Sequence, residues 1–107
     1  MSRMLMIGLR VTTPGCDEEV IRLVKAALAV ARARNLLTSL PPKLMQGVAG
    51  EILLVAELHS VSAVDAIDED AELQDIVGQL SMIAEAVPLQ SFLETSATRV
   101  TFEILDD

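Results

Sequence analysis

Residues 4–13 (Met-Leu-Met-Ile-Gly-Leu-Arg-Val-Thr-Thr) are almost continuous in apolar and β-branched character. This is the pattern of a strand buried on much of both faces. Pro14-Gly15 breaks the run, and Asp17, Glu18 and Glu19 follow it. Acids in that position offer a helix cap and suit the positive end of a helix dipole, so a helix is expected to begin there. Val20, Val24, Ala27, Leu28 and Ala31 recur at helical spacing, while Glu18, Arg22, Lys25, Ala29 and Arg32 share the other face, with Glu18 and Arg22 paired four residues apart. The helix is expected to end near Arg34, where Asn35 suits a left-handed stop.

Residues 36–50 combine Leu36, Leu37, Leu40, Leu44, Met45 and Val48 with Pro41-Pro42, Gly47 and Gly50. They are too apolar for a solvated loop and too interrupted for one long element, so a short strand is expected among them. Glu51 to Ser60 reads as a second core strand, with Ile52, Leu54, Ala56 and Leu58 on one face and Leu53, Val55, Glu57 and His59 on the other. Ser60 to Asp70 reads as a linker-like turn. Leu73, Ile76, Val77, Leu80, Ile83, Ala84 and Val87 then keep helical spacing, which predicts a helix closed by Val87-Pro88. From Arg99 to Leu105 the chain alternates, Val100, Phe102 and Ile104 against Thr101 and Glu103. This predicts a half-exposed strand paired with a short strand near Phe92.

The order strand, helix, short strand, strand, helix, strand is similar to the ferredoxin-like βαββαβ order. The expected fold is therefore α+β, one domain over residues 1–107, a two-layer sandwich with two amphipathic helices on one face of a mainly antiparallel sheet. Such a sheet leaves its other face bare. Met4, Met6, Leu53, Val55 and Leu105 are expected to line it, and an exposed apolar face of this kind marks a partner surface or ligand groove. A homodimer or higher homo-oligomer is the expected answer.

Charge divides the chain. Residues 1–43 carry a net +4, residues 44–98 a net −10 with no Lys or Arg, and residues 99–107 a net −2, which gives the overall −8. Asp68, Glu69, Asp70, Glu72 and Asp75 concentrate the acidity on the second helix and its approach, where they are available to a basic protein partner. The same acidity, with no Trp or Tyr and only Phe92 and Phe102 as aromatic residues, argues against direct nucleic-acid binding, which relies on basic grooves and stacking rings. The longest apolar runs, Met4 to Leu9 and Ile52 to Ala56, fall far short of the roughly 20 residues that cross a bilayer. No secretory signal is read at the start of the chain, and the single cysteine suits a reducing cytoplasm.

Candidate chemistry is sparse. Cys16 stands before a helix start, a location that lowers a thiol pKa, and five residues separate it from Arg22, a spacing reminiscent of phosphatase loops. The residues between them are acidic and bulky, which opposes an anionic substrate, so a small residue filling a helix start is the simpler reading. Glu57 and His59 share a strand face as a lone acid and a lone base, too few for a zinc site. Asp68 to Gln79 fails the calcium-loop pattern, with Leu73 where Gly is required and Gln79 where Glu is required. No catalytic set, metal or cofactor is expected. The chain reads first as a non-enzymatic interaction or assembly protein, next as a small ligand-binding regulatory domain with an intersubunit pocket, and last as an enzyme using His59, Glu57 or Cys16.

Overall fold

Strand pairing organises the chain. In the computed structural model, which describes residues 2–92 and 102–105, β1 (Arg3–Val11) lies antiparallel to β3 (Ile52–Leu58), with Leu5 opposite Ala56 and Ile7 opposite Leu54. β2 (Lys43–Gln46) pairs with the other edge of β3, β4 (Ala84–Val87) with the other edge of β1, and β5 (Glu103–Ile104) with β2. The five strands stand in the order β4-β1-β3-β2-β5, and every pair is antiparallel. With three helices among the described residues, α1 (Asp17–Ala33), α2 (Ser62–Glu69) and α3 (Ala71–Leu80), the fold is α+β.

Period-two alternation sorts the strands into two faces. Ile7, Leu9 and Val11 of β1 and Ile52 and Leu54 of β3 pack with Leu44, Ala84 and the α1 residues Val20 and Val24. A second cluster joins Ala31, Leu37, Ala56, Leu58 and Ala63, with Leu5 and Ile67 against it. Ile52, Leu58 and Val20 are the largest side chains with almost no exposure. Each contributes about 1.5–3 kcal/mol through burial, which is why the helices hold to this face.

Local chemistry sets the ends of α1. Cys16 stands at its N-cap with no side-chain capping bond, and Asp17, Glu18 and Glu19 occupy the first turn. At the far end Asn35 adopts φ 59, its amide donates to the Arg32 carbonyl, and the Leu36 amide reaches back to the Ala31 carbonyl. This pair of bonds is a Schellman stop. The expected Glu18 and Arg22 pair is replaced: Arg22 takes Glu19, three residues back, through contacts of 2.8 and 2.6 Å. The buried stripe also includes Leu23.

Three expectations are corrected. Residues 62–69, read as linker, are helical, because Ala63 is buried and Ile67 packs four residues on, enough to hold a short helix against the core. The helix expected to run to Val87 stops at Leu80, and Ala84–Val87 forms β4 instead. Ala84 and Val87 continue the helical stripe and fall on opposite faces of β4, but the free edge of β1 supplies backbone partners that a longer helix would leave unmet. Strand β5 pairs with β2, Ile104 opposite Met45, residues 89–91 form a single 3-10 turn, and residues 93–98, where a short strand beyond Phe92 could fall, lie outside the described residues. The remaining residues of the expected final strand, 99–101, lie outside the described residues. Leu105, expected on the bare face, packs instead into the helix-side cluster, its amide donating to the Leu44 carbonyl.

The bare face is partly covered by the chain itself. Phe92, 3% exposed, presses on Gly8 so closely that a Cβ there would come within 2.7 Å of its ring and 3.1 Å of the Val87 carbonyl oxygen. Phe102 meets the Phe92 ring edge-on at 6.1 Å between centroids, a favoured aromatic geometry. Leu53, which pairs with Gly8, is accordingly buried although it belongs to the face opposite the helices. Gly8→Ala is therefore expected to displace Phe92 and to cost about 1–3 kcal/mol by overpacking, measured as a lowered urea midpoint. An unchanged midpoint would show that Phe92 is not seated on the sheet.

Candidate functional site

The face away from the helices has three zones set by register. At one end stand Met4, 52% exposed, and Met6, 48% exposed, opposite Glu57 and Val55. Lys43 comes opposite Val55 from the other side and Met45 opposite Leu53. Ile104, 55% exposed, extends this apolar ground on the edge strand. Phe92 seals the middle. The far end is polar, because Arg10 stands between two acids.

Arg10 pairs across β4 with Glu85, and its guanidinium donates to Glu85 Oε1 at 3.2 Å. One step past the Leu9 and Ile52 pair on the other side is Glu51, whose Oε2 lies 3.6 Å from the same guanidinium. Glu51 is 8% exposed, and its Oε1 is the single buried side-chain oxygen or nitrogen without a hydrogen-bond partner among the described residues. The hairpin before it is fixed by the Gly47 amide donating to the Glu51 carbonyl, by Gln46 Nε2 donating to the Gly50 carbonyl, and by Gly50 at φ 94. A side chain at residue 50 would strain that turn.

Glu51 is among the residues lining a cleft of about 270 Å³ between this hairpin and the loop from β1 to α1, and its Oε1 is closed off from solvent. Arg10, Thr12, Thr13, Asp17, Gly50 and Glu51 supply its polar lining. The sequence reading missed this group. Period-two alternation places Arg10 on a face, but only the cross-strand register brings Glu51 and Glu85 to either side of it.

The residues singled out from the sequence are dispersed. Cys16 is half-buried at the start of α1. His59 lies exposed just past β3, its backbone amide bonded to the Leu36 carbonyl. Glu57 accepts from the Thr38 hydroxyl at 2.6 Å and the Ser2 hydroxyl at 3.2 Å. No three His, Cys, Asp or Glu side chains form a metal-binding group among the described residues. Among the described residues no helix is long and apolar enough to cross a membrane.

The acids of α2 and α3 divide into engaged and open ones. Asp70 caps α3 by accepting the Leu73 amide at 3.0 Å, and Arg34 from the end of α1 reaches both Asp70 and Glu72 at 2.8 and 2.9 Å. The Leu73 amide first, then Arg34, hold the Asp70 carboxyl below its ordinary range. Asp68, Glu69 and Asp75 are exposed, and Asp75 accepts from Gln79.

Neither a known protein family nor a curated protein matches this chain by sequence. Its fold is similar to that of a conserved protein of unknown function from Bacteroides thetaiotaomicron, described as a possible oxidoreductase. The likeness has a TM-score of 0.68 at 15% identity, covering 80% of this chain and 90% of that one. It is similar also to Rv0793 from Mycobacterium tuberculosis, with a TM-score of 0.62 at 16% identity, covering 82% of this chain and 94% of the other. At such identities the likeness concerns the fold alone.

The Asp70 contacts have a pH consequence. A carboxyl depressed in the folded state stabilises the fold above its unfolded-state pKa, and the contribution is lost as pH falls through the folded value. Asp70→Asn, which keeps an oxygen for the Leu73 amide but loses the charge facing Arg34, is expected to melt below the wild type near neutral pH. The gap should close between about pH 5 and pH 3, followed by circular dichroism. A gap that is constant across this range would mean that the charge contributes nothing.

Proposed function

We propose that this chain is a ferredoxin-like assembly protein that self-associates through the sheet face opposite its helices. The observation that carries the proposal is the exposed row Met4, Met6 and Ile104 beside half-buried Met45 and Val55, all on one face. Apolar surface gathered on a sheet costs free energy in water at about 25 cal/mol per Å², and a partner removes that cost. The strand order β4-β1-β3-β2 supports the ferredoxin-like reading.

Charge favours a second copy as the occupant. Lys43 on β2 has no salt bridge among the described residues, while Glu57 lies on the same face two strand positions from Val55. A two-fold axis through the apolar row sets the Lys43 of one copy toward the Glu57 of the other, the self-complementarity that an isologous interface requires. The exposed acids Asp68, Glu69 and Asp75 lie on α2 and α3, away from this face, and remain available to a basic protein partner. One cysteine and no disulfide partner suit work in the cytoplasm.

Multi-angle light scattering tests the proposal. Wild type is expected at twice the chain mass at tens of micromolar protein, and Met6→Glu or Val55→Glu at the chain mass with an unchanged circular dichroism spectrum. High salt should weaken the wild-type dimer only slightly, because apolar contact dominates and screening acts on the rim charges. A wild type that is monomeric throughout, or a Met6→Glu variant that stays dimeric, overturns the reading.

A further inference from the structure

The methionines of this chain lie outside its core. None of Met4, Met6, Met45 and Met82 belongs to either buried cluster. Along β1 the division follows the strand alternation: Leu5, Ile7 and Leu9 turn to the helices, while Met4 and Met6 turn the other way, each about half exposed. Among the described residues β4 pairs with β1 only from Gly8 onward. The edge of β1 beside Met4 and Met6 therefore carries no neighbouring strand, and solvent reaches both side chains.

Met on this face does something that Leu does not. The two side chains are close in volume and make similar apolar contacts, but Met brings a thioether sulfur, which peroxide converts to a polar sulfoxide. The sulfur lone pair attacks one oxygen of hydrogen peroxide, and an S–O bond forms as the O–O bond breaks. Sulfur gives up two electrons, and the departing hydroxide takes the proton of the transferred hydroxyl and leaves as water. Reductases specific for the two sulfoxide epimers reverse the change. In a core such a change disrupts packing. At Met4 and Met6 the new oxygen of a single chain stays in water, and both core clusters are left as they were. A surface laid over the face has no such outlet. Glu57 and Val55 stand directly across β3, and neither carries a side-chain donor for a sulfoxide oxygen, so contact would bury that oxygen unsatisfied.

We propose that Met4 and Met6 form a reversible oxidation site whose sulfoxides separate one copy of this chain from another. This rests on the self-association argued above and adds its regulation. Met82 serves as an internal comparison. It is 78% exposed, in the turn before β4, beyond the opposite end of β1 from Met4.

Hydrogen peroxide, stopped with catalase and followed by dithiothreitol to return Cys16 to its thiol, tests this on the full chain. Trypsin then frees residues 4–10, which hold Met4 and Met6 and no other methionine, for mass spectrometry. The expected product carries both sulfoxides, keeps its circular dichroism spectrum, and scatters light at the chain mass, its self-association weakened at least about a hundredfold. Treatment with both methionine sulfoxide reductases should restore the dimer. The Met4→Leu, Met6→Leu variant should stay dimeric through the same peroxide treatment although Met82 is oxidised. A wild type that carries both sulfoxides and remains dimeric overturns this inference and leaves self-association standing, whereas an untreated wild type that is monomeric overturns both. The inference also fails if Met4 and Met6 stay unoxidised while Met82 reacts, if peroxide dissociates the Met4→Leu, Met6→Leu variant, or if the treated wild type loses its circular dichroism spectrum.

Discussion

The antiparallel register between β1 and β3 is the constraint on which the other features depend. With Leu5 opposite Ala56 and Ile7 opposite Leu54, all of the larger aliphatic side chains of both strands that face the helices meet one layer, and a slip of one residue would carry that whole set to the other side. The same register brings Gly8 opposite Leu53 and leaves the space over Gly8 that Phe92 takes. It also carries the two strands to the point where Arg10 and Glu51 come side by side. Core, covered patch and polar cleft are three readings of one pairing.

Much of this arrangement was legible in the residues. Strand β1, helix α1 with its Asn35 stop, and strand β3 follow from periodicity and turn chemistry, because each is long enough for its pattern to exceed chance. Residues 62–87 were harder to read for a physical reason. Ala84 and Val87 satisfy a helical stripe but fall on opposite faces of a strand, and the choice is made by the unfilled edge of β1, which no local window contains. Residues 62–69 fold as a helix against the core although their Ser and Asp content resembles a linker.

The candidate site was less legible than the fold. The apolar face was predicted from alternation, but its centre is covered by Phe92, and Leu105 turned out to belong to the helix layer. What survives as open ground is smaller and lies toward Met4, Met6 and Ile104. Of the predicted acidic surface, Asp70 and Glu72 are engaged by Arg34. These acids tie the end of α1 to the start of α3, which gives them a structural task before any recognition. Composition counts charges, but it does not say which of them are already paired.

Glu51 shows the same lesson at the level of single atoms. In the sequence it is one acid at the head of an apolar strand, indistinguishable from a solubilising charge. In the fold it is buried, one of its oxygens faces a shared guanidinium, and the other faces no donor. Arg10 donates to Glu85 through one amino nitrogen at 3.2 Å and keeps the other 3.6 Å from Glu51 Oε2, too long for a hydrogen bond. Electrostatic attraction to Arg10 therefore offsets part of the burial cost of Glu51 but leaves its directional acceptor open. That unfilled acceptor stands at the polar end of the sheet face, with Phe92 over Gly8 between it and the apolar ground of Met4 and Met6.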